Sequence, residues 1–247
     1  MKLTSRWYSE RLGTEVTVVR WGAVGTPLLI LPTAGGDALE IERFQIIDTL
    51  AALLEQGRIK IYSCDSVAGR AMLAEEGTPQ YRMALFNRFH QFVYHEVVPA
   101  IRTDCRAPQI EVIAAGASIG AFNALALLCR FPDAFTHAIC MSGTYDLERF
   151  LKAPMTDDLY FASPLHFLPD LIGPGLDLLR ARFALLPSGE GRAEDIGETW
   201  RVAHVLGRKG IPNRVDSWGS DWHHDWPTWR AMLRRYVDEL VPARAPG

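Results

Sequence analysis

Apolar runs of strand length alternate with longer stretches of helical periodicity along most of the chain. Residues 15–20 (EVTVVR), 27–31 (PLLIL), 59–63 (IKIYS), 110–115 (IEVIAA), 136–141 (THAICM), 182–186 (RFALL) and 213–216 (NRVD) carry the β-branched and apolar content of strands. Between them, residues 39–56, 81–101, 121–130, 197–208 and 227–240 repeat their apolar positions at helical spacing, with Pro132 stopping the third and Pro227 opening the last. Such alternation predicts a mostly parallel sheet with helices on both faces, that is, an α/β fold. The pattern breaks over residues 142–179, where Pro154, Pro164, Pro169 and Pro174 interrupt a stretch bearing Tyr160, Phe161, Phe167 and Leu168. This segment is expected to be an irregular insertion over one edge of the sheet, its aromatics shaping a pocket. The tail from residue 242 is expected to fray.

Length and composition fit one domain spanning residues 1–247, since 48% hydrophobic residues in 247 can fill a single large core. A net charge of −3 without long basic runs argues against a nucleic-acid partner and for a small neutral or apolar one. Neither a signal-peptide core nor a run of about 20 apolar residues is present, so no membrane association is expected. Cys64, Cys105, Cys129 and Cys140 have no metal-ligand or CxxC spacing and read as reduced thiols of a cytoplasmic protein. No dinucleotide or phosphate-loop motif is found, so neither a cofactor nor a metal is implied. Oligomeric state leaves no mark in the sequence.

The chemistry-bearing motif is Gly116-Ala117-Ser118-Ile119-Gly120. G-x-S-x-G alone is a weak signal, but here it joins a strand to a helix, the setting in which such a turn forces the serine into a strained conformation with its hydroxyl above the sheet. The amide of Ile119, opening the helix, is placed to face an oxyanion. A second donor is expected in the loop after residues 27–31, with Thr33 and Ala34 as candidates. Were Ser118 only a helix cap, its side chain would instead bond the first turn.

A serine nucleophile needs a histidine base, and the histidine needs an acid to fix its tautomer. In folds of this kind the chain order is serine, acid, histidine. His223 and His224, between the last strand and the last helix, stand where the base belongs. The loop after residues 182–186 offers Glu190, Glu194 and Asp195 as acids, Asp195 being equally suited to precede the next helix. His90, His95, His137, His166 and His204 read as structural, His90 being the first candidate for another role, and Asp225 as the cap of the final helix.

Taken together, these residues resemble the esterase D-like branch of the α/β-hydrolases, which includes S-formylglutathione hydrolases, enterochelin esterases and mycolyltransferases. The resemblance runs over most of the chain and rests on the Gly116–Gly120 turn with Asn123-Ala124, on residues 94–99 (YHEVVP), on residues 141–146 (MSGTYD), and on His224-Asp225-Trp226 with Trp229. It implies the α/β-hydrolase fold and a serine esterase acting on a small ester through an acyl-enzyme. It selects His224, directly before Asp-Trp, over His223, and Glu194 as the acid with Glu190 second. Thr33-Ala34 stands where the family commonly carries His-Gly. Two rivals follow from the same residues: an acyltransferase passing the same acyl-enzyme to an alcohol or amine, and a non-catalytic binding protein on the hydrolase fold.

Overall fold

The structure of the protein, a computed structural model, describes residues 1–151 and 154–243. Positions 152–153 of the expected insertion and 244–247 of the expected tail lie outside the described residues. Eight strands form one sheet in the order β1-β2-β4-β3-β5-β6-β7-β8: β1 Lys2–Ser9, β2 Thr14–Trp21, β3 Thr26–Leu31, β4 Ile59–Cys64, β5 Val112–Ala117, β6 Phe135–Met141, β7 Phe183–Ser188 and β8 Asn213–Ser217. Pairing is antiparallel for β1 with β2 and β2 with β4, and parallel from β4 through β8. This is the α/β-hydrolase fold that the resemblance implied.

The period-two geometry of strands divides the core into two layers. In β3, Leu29 and Leu31 face a layer built with helices Pro79–Phe92, Ile119–Arg130 and Ile196–Arg208. Leu28 and Ile30 face the opposite layer, where Trp229, Met232 and Leu233 of the last helix, Trp226–Leu240, pack. Both β4 and β5 are buried along their whole length, which explains the continuous apolar and small-residue sequence of β5; β4 also buries Lys60, paired with Asp104, and Ser63.

Three differences from the sequence expectation have physical causes. β1 escaped it because its outer positions are exposed at the sheet edge and show no apolar alternation. The 39–56 segment is three short helices rather than one, broken where Gln45 adopts a left-handed conformation at φ 63°. The 81–101 helix is interrupted by a π turn over Val93–Val97 before resuming as Val98–Asp104. Pro99 lacks an amide proton and would crowd the carbonyl four residues back, so the widened turn just before it relieves that clash. The same turn aims Glu96 at the β1 hairpin, where it accepts from Trp7 Nε1 at 2.8 Å and Ser9 Oγ at 3.0 Å. No helix among the described residues is long and apolar enough to cross a membrane.

His90 is fully buried against the helix Ile119–Arg130 and is held there through both ring nitrogens. Arg130 Nη1 donates to its Nδ1 at 3.0 Å, so Nε2 carries the proton and donates to Asn123 Oδ1 at 2.9 Å. Burial first, and then the Arg130 guanidinium, push its pKa down to about 3. An unfolded histidine titrates near 6.5. Between these values the unfolded chain holds the extra proton, so stability is complete above about pH 6.5 and is lost as pH falls toward 3. The urea midpoint is expected to decline below pH 6.5, with a slope from this group of about 1.4 kcal/mol per pH unit. His90→Gln should flatten that decline; an equal slope in the variant would remove His90 as its cause.

Candidate active site

Thr33, Ala34, Ser118, Glu190, Glu194 and Asp195 lie in segments that follow the carboxyl ends of β3, β5 and β7, and His224 in the loop after β8, as expected for an open α/β sheet. β5 runs two residues further than the apolar run suggested, so Gly116 and Ala117 belong to the strand, and Ser118 follows it directly. Ser118 takes φ 56° and ψ −120°, a conformation costly for a residue with a Cβ. Its amide donates to Met141 O at 3.0 Å, which anchors the turn to β6. The turn is possible only because of its two glycines: a Cβ at Gly116 would lie 2.3 Å from the Gly120 carbonyl carbon, and one at Gly120 would lie 2.4 Å from Leu31 O.

Although Ser118 occupies the N-cap position of the helix Ile119–Arg130, its side chain makes no capping hydrogen bond. The hydroxyl is therefore left for other partners, and the amide of Ile119, in the first helical turn, has no intrahelical acceptor. Ser118 and His224 line one cavity of about 340 Å³, together with Ser142, Thr144, Arg149 and Glu198.

His224 is fixed by its loop and by packing. Its amide donates to Arg192 O at 3.1 Å, and its ring stands edge-on to Trp229 at 5.0 Å. Its Nδ1 is enclosed without a hydrogen-bond partner, and Glu194 Oε2 lies 3.5 Å away, within ion-pair range but long for a hydrogen bond. Catalytic contacts are commonly long before substrate binds. The Glu194 side chain is only 1% exposed. Its other oxygen, Oε1, accepts from Ser142 Oγ at 2.6 Å.

Of the remaining candidates, Glu190 lies away from His224, with its carboxylate accepting from Ser217 Oγ. Asp195 caps the helix Ile196–Arg208 by accepting from Gly197 N at 3.1 Å, and Asp225 caps the last helix by accepting from Thr228 N at 3.1 Å. His223 turns aside, its Nδ1 accepting from the Arg192 amide at 3.0 Å.

The loop after β3 separates the two candidate oxyanion donors. Thr33 is occupied, because its amide and hydroxyl donate to the two oxygens of Glu40 at 2.7 and 2.6 Å. Glu40 is buried, and burial raises its carboxyl pKa while the Thr33 bonds oppose the rise. Among the described residues no acceptor meets the Ala34 amide.

Sequence reasoning passed over Ser142, Glu40 and Glu198. Glu198 is a buried carboxylate whose Oε2 accepts from the amides of Tyr145 at 2.7 Å and Asp146 at 3.1 Å, while Oε1 accepts from Arg149 at 3.2 Å. It thereby pins the loop that presents Ser142. None of the three falls in a motif whose spacing reveals its chemistry; Ser142 was visible only as part of a family-like segment. The aromatics of the insertion differ from expectation as well. Residues 142–144 and Arg149 reach the Ser118 cavity, but Phe161 and Phe167 line a separate one.

The Esterase family model, described as "Putative esterase", matches residues 55–239. No curated protein matches the sequence. Among solved structures, the chain is similar to a ferulic acid esterase, at 17% identity over 99% of both chains and a TM-score of 0.75. It is similar to an S-formylglutathione hydrolase from Agrobacterium tumefaciens, at 12% identity over 99% of this chain and 96% of that one, with a TM-score of 0.69. The enterobactin esterase of Shigella flexneri gives 18% identity and a TM-score of 0.69, over 97% of this chain and 59% of that one.

Proposed function

The chain belongs to the Esterase family and is a carboxylic ester hydrolase, and we propose that it works through a Ser118–Glu194–His224 triad and an acyl-enzyme. The observation that carries this reading is the strained, uncapped Ser118 sharing a cavity with His224, whose Nδ1 faces the buried Glu194 at 3.5 Å. In the first half-reaction His224 Nε2 takes the hydroxyl proton as Oγ attacks the ester carbonyl, and then gives it to the departing alcohol. Glu194 holds the imidazole and stabilises it once charged. Water, activated by the same histidine, releases the acid. The amides of Ile119 and Ala34 hold the oxyanion, while the neighbouring Thr33, bound to Glu40, keeps the loop in shape.

The small, polar-lined cavity suits a short acyl group. The four free cysteines, three of them buried, fit a cytoplasmic setting. Hydrolysis of p-nitrophenyl acetate, butyrate and octanoate, with labelling of Ser118 by a fluorophosphonate, tests the reading. Activity should favour the short esters and be lost on labelling; inertness toward all three together with no labelling would reject it.

Ser142 acts on the same chemistry from one residue removed. Ser142→Ala frees one oxygen of a buried carboxylate, and removing a charge-assisted hydrogen bond of this kind costs about 1.5–3 kcal/mol. The variant is expected to lower kcat by about tenfold or more with KM little changed and the acid limb of the pH profile displaced. Unaltered kcat would reduce Ser142 to a packing residue.

A further inference from the structure

The helix that opens at Ser118 closes twelve residues later at Arg130, about 18 Å away at the helical rise. A second cavity of about 470 Å³ opens there, lined by Asn87, Arg130, Phe131, Phe161, Phe167 and Leu171 among others. Two independent features distinguish it from ordinary surface relief.

The first is an arginine without an ion pair. Arg130 is largely buried, yet among the described residues no carboxylate pairs with it directly. Its guanidinium donates to two neutral acceptors, His90 Nδ1 at 3.0 Å and Asn87 Oδ1 at 2.7 Å. Asp158 reaches it only across Asn87, whose Nδ2 donates to Asp158 Oδ1 at 2.7 Å. Burial lowers the Arg130 pKa to about 10, which leaves the group cationic at neutral pH. A buried charge left without a counter-ion is costly and is seldom kept unless something supplies one.

The second feature is an aromatic wall left open. Phe161, on the helix Asp157–Ala162, is 55% exposed beside the buried Phe167. The Phe131 ring lies 5.3 Å from the guanidinium and ties the cation to the apolar lining. An isolated exposed phenylalanine is unremarkable, but one that shares a concave site with an unpaired cation has a specific complement.

We propose that this cavity is a binding site for an amphiphilic monocarboxylate, a medium-chain alkanoate or arylalkanoate, with its head on Arg130 and its apolar body against Phe161 and Phe167. One cation with Asp158 nearby suits a single negative charge better than a dianion. The guanidinium retains N–H groups beyond the two already used, so a carboxylate need not displace His90 or Asn87. The site is separate from the Ser118 cavity and does not depend on the esterase chemistry.

The test is calorimetric titration of the wild-type protein with octanoate and with octanol, followed by the Nε–Hε resonance of Arg130. Octanoate should saturate one site and move that resonance, and octanol should bind at least about tenfold more weakly. Arg130→Gln and Phe161→Ala should each raise the octanoate Kd by about tenfold or more, with p-nitrophenyl acetate turnover unchanged. If Arg130→Gln does not fold, Phe161→Ala, altered at an exposed position, and the resonance shift decide. Equal binding of octanol, an affinity indifferent to the variants, or no saturation by about 10 mM ligand would each overturn the proposal.

Discussion

Ser118→Ala is expected to abolish ester turnover, by about 10⁴- to 10⁶-fold in kcat, without loss of fold. Size and specificity both come from the Gly116–Gly120 turn, the elbow that presents the proposed nucleophile. The hydroxyl makes no cap bond that its removal could break, so the far-ultraviolet circular dichroism and unfolding midpoint should stay those of the wild type. The strain at φ 56° is a property of the backbone, and alanine keeps it. Glycine does not: Ser118→Gly should be as inactive, yet more stable by about 1 kcal/mol, the lower end of what such a conformation costs a residue with a Cβ. A stabilised, inactive glycine variant would show that the fold carries strain in order to present the nucleophile. His224→Ala should lose turnover to a similar extent, whereas His223→Ala should keep most of it, because His223 Nδ1 is spent on the Arg192 amide. Retention of more than about 1% of activity in Ser118→Ala, far above the residual catalysis of a disabled triad, would exclude Ser118 as the nucleophile.

The parts of this arrangement that were legible in the sequence are those that local chemistry encodes. Strands buried on both faces are rich in apolar and β-branched residues, so β3, β5 and β7 declare themselves, and β4 and β6 do so despite Lys60, Ser63, Thr136 and His137 within them. The elbow is written in five consecutive residues because each glycine is required by a contact within that turn or with the strand beside it. Asp225 was legible as a cap because it and Pro227 stand only two positions apart in the chain, at the cap and in the first turn. What stayed hidden depends on long-range contact. The bond from Ser142 to Glu194 joins residues 52 positions apart, and the acid loop offers three carboxylates that only the tertiary structure separates. Thr33 and Ala34 are equivalent as sequence; Glu40, folded back upon the loop, makes them different. The same limit misplaced Phe161 and Phe167: a sequence shows that an aromatic needs a surface to pack on, but not which end of the helix Ile119–Arg130 provides it.

The same turn also sets a large stability effect for a single methyl group. Adding one at Gly120 places it 2.4 Å from Leu31 O and 2.9 Å from Pro32 O, and both are backbone atoms of β3 and the loop that follows it. Neither can yield without separating β3 from β5, which pair from Leu28 with Ile113 to Leu31 with Gly116. Overpacking in a close-packed core usually costs about 1–3 kcal/mol when side chains can give way; here only backbone can, so Gly120→Ala is expected to exceed about 3 kcal/mol. Any folded fraction should be inactive, since the loop that moves carries the Ala34 amide. Gly207 supplies the control. It lies on an exposed face of the helix Ile196–Arg208, with no atom within 4 Å of an added Cβ. Gly207→Ala should therefore stabilise by about 0.5–1 kcal/mol through helix propensity alone. Chemical unfolding of the two variants should thus give changes of opposite sign for the same added methyl. If Gly120→Ala proved as stable and active as the wild type, the close approach of the nucleophile helix to β3 would be wrong, and with it the placing of Ser118 beside the oxyanion loop.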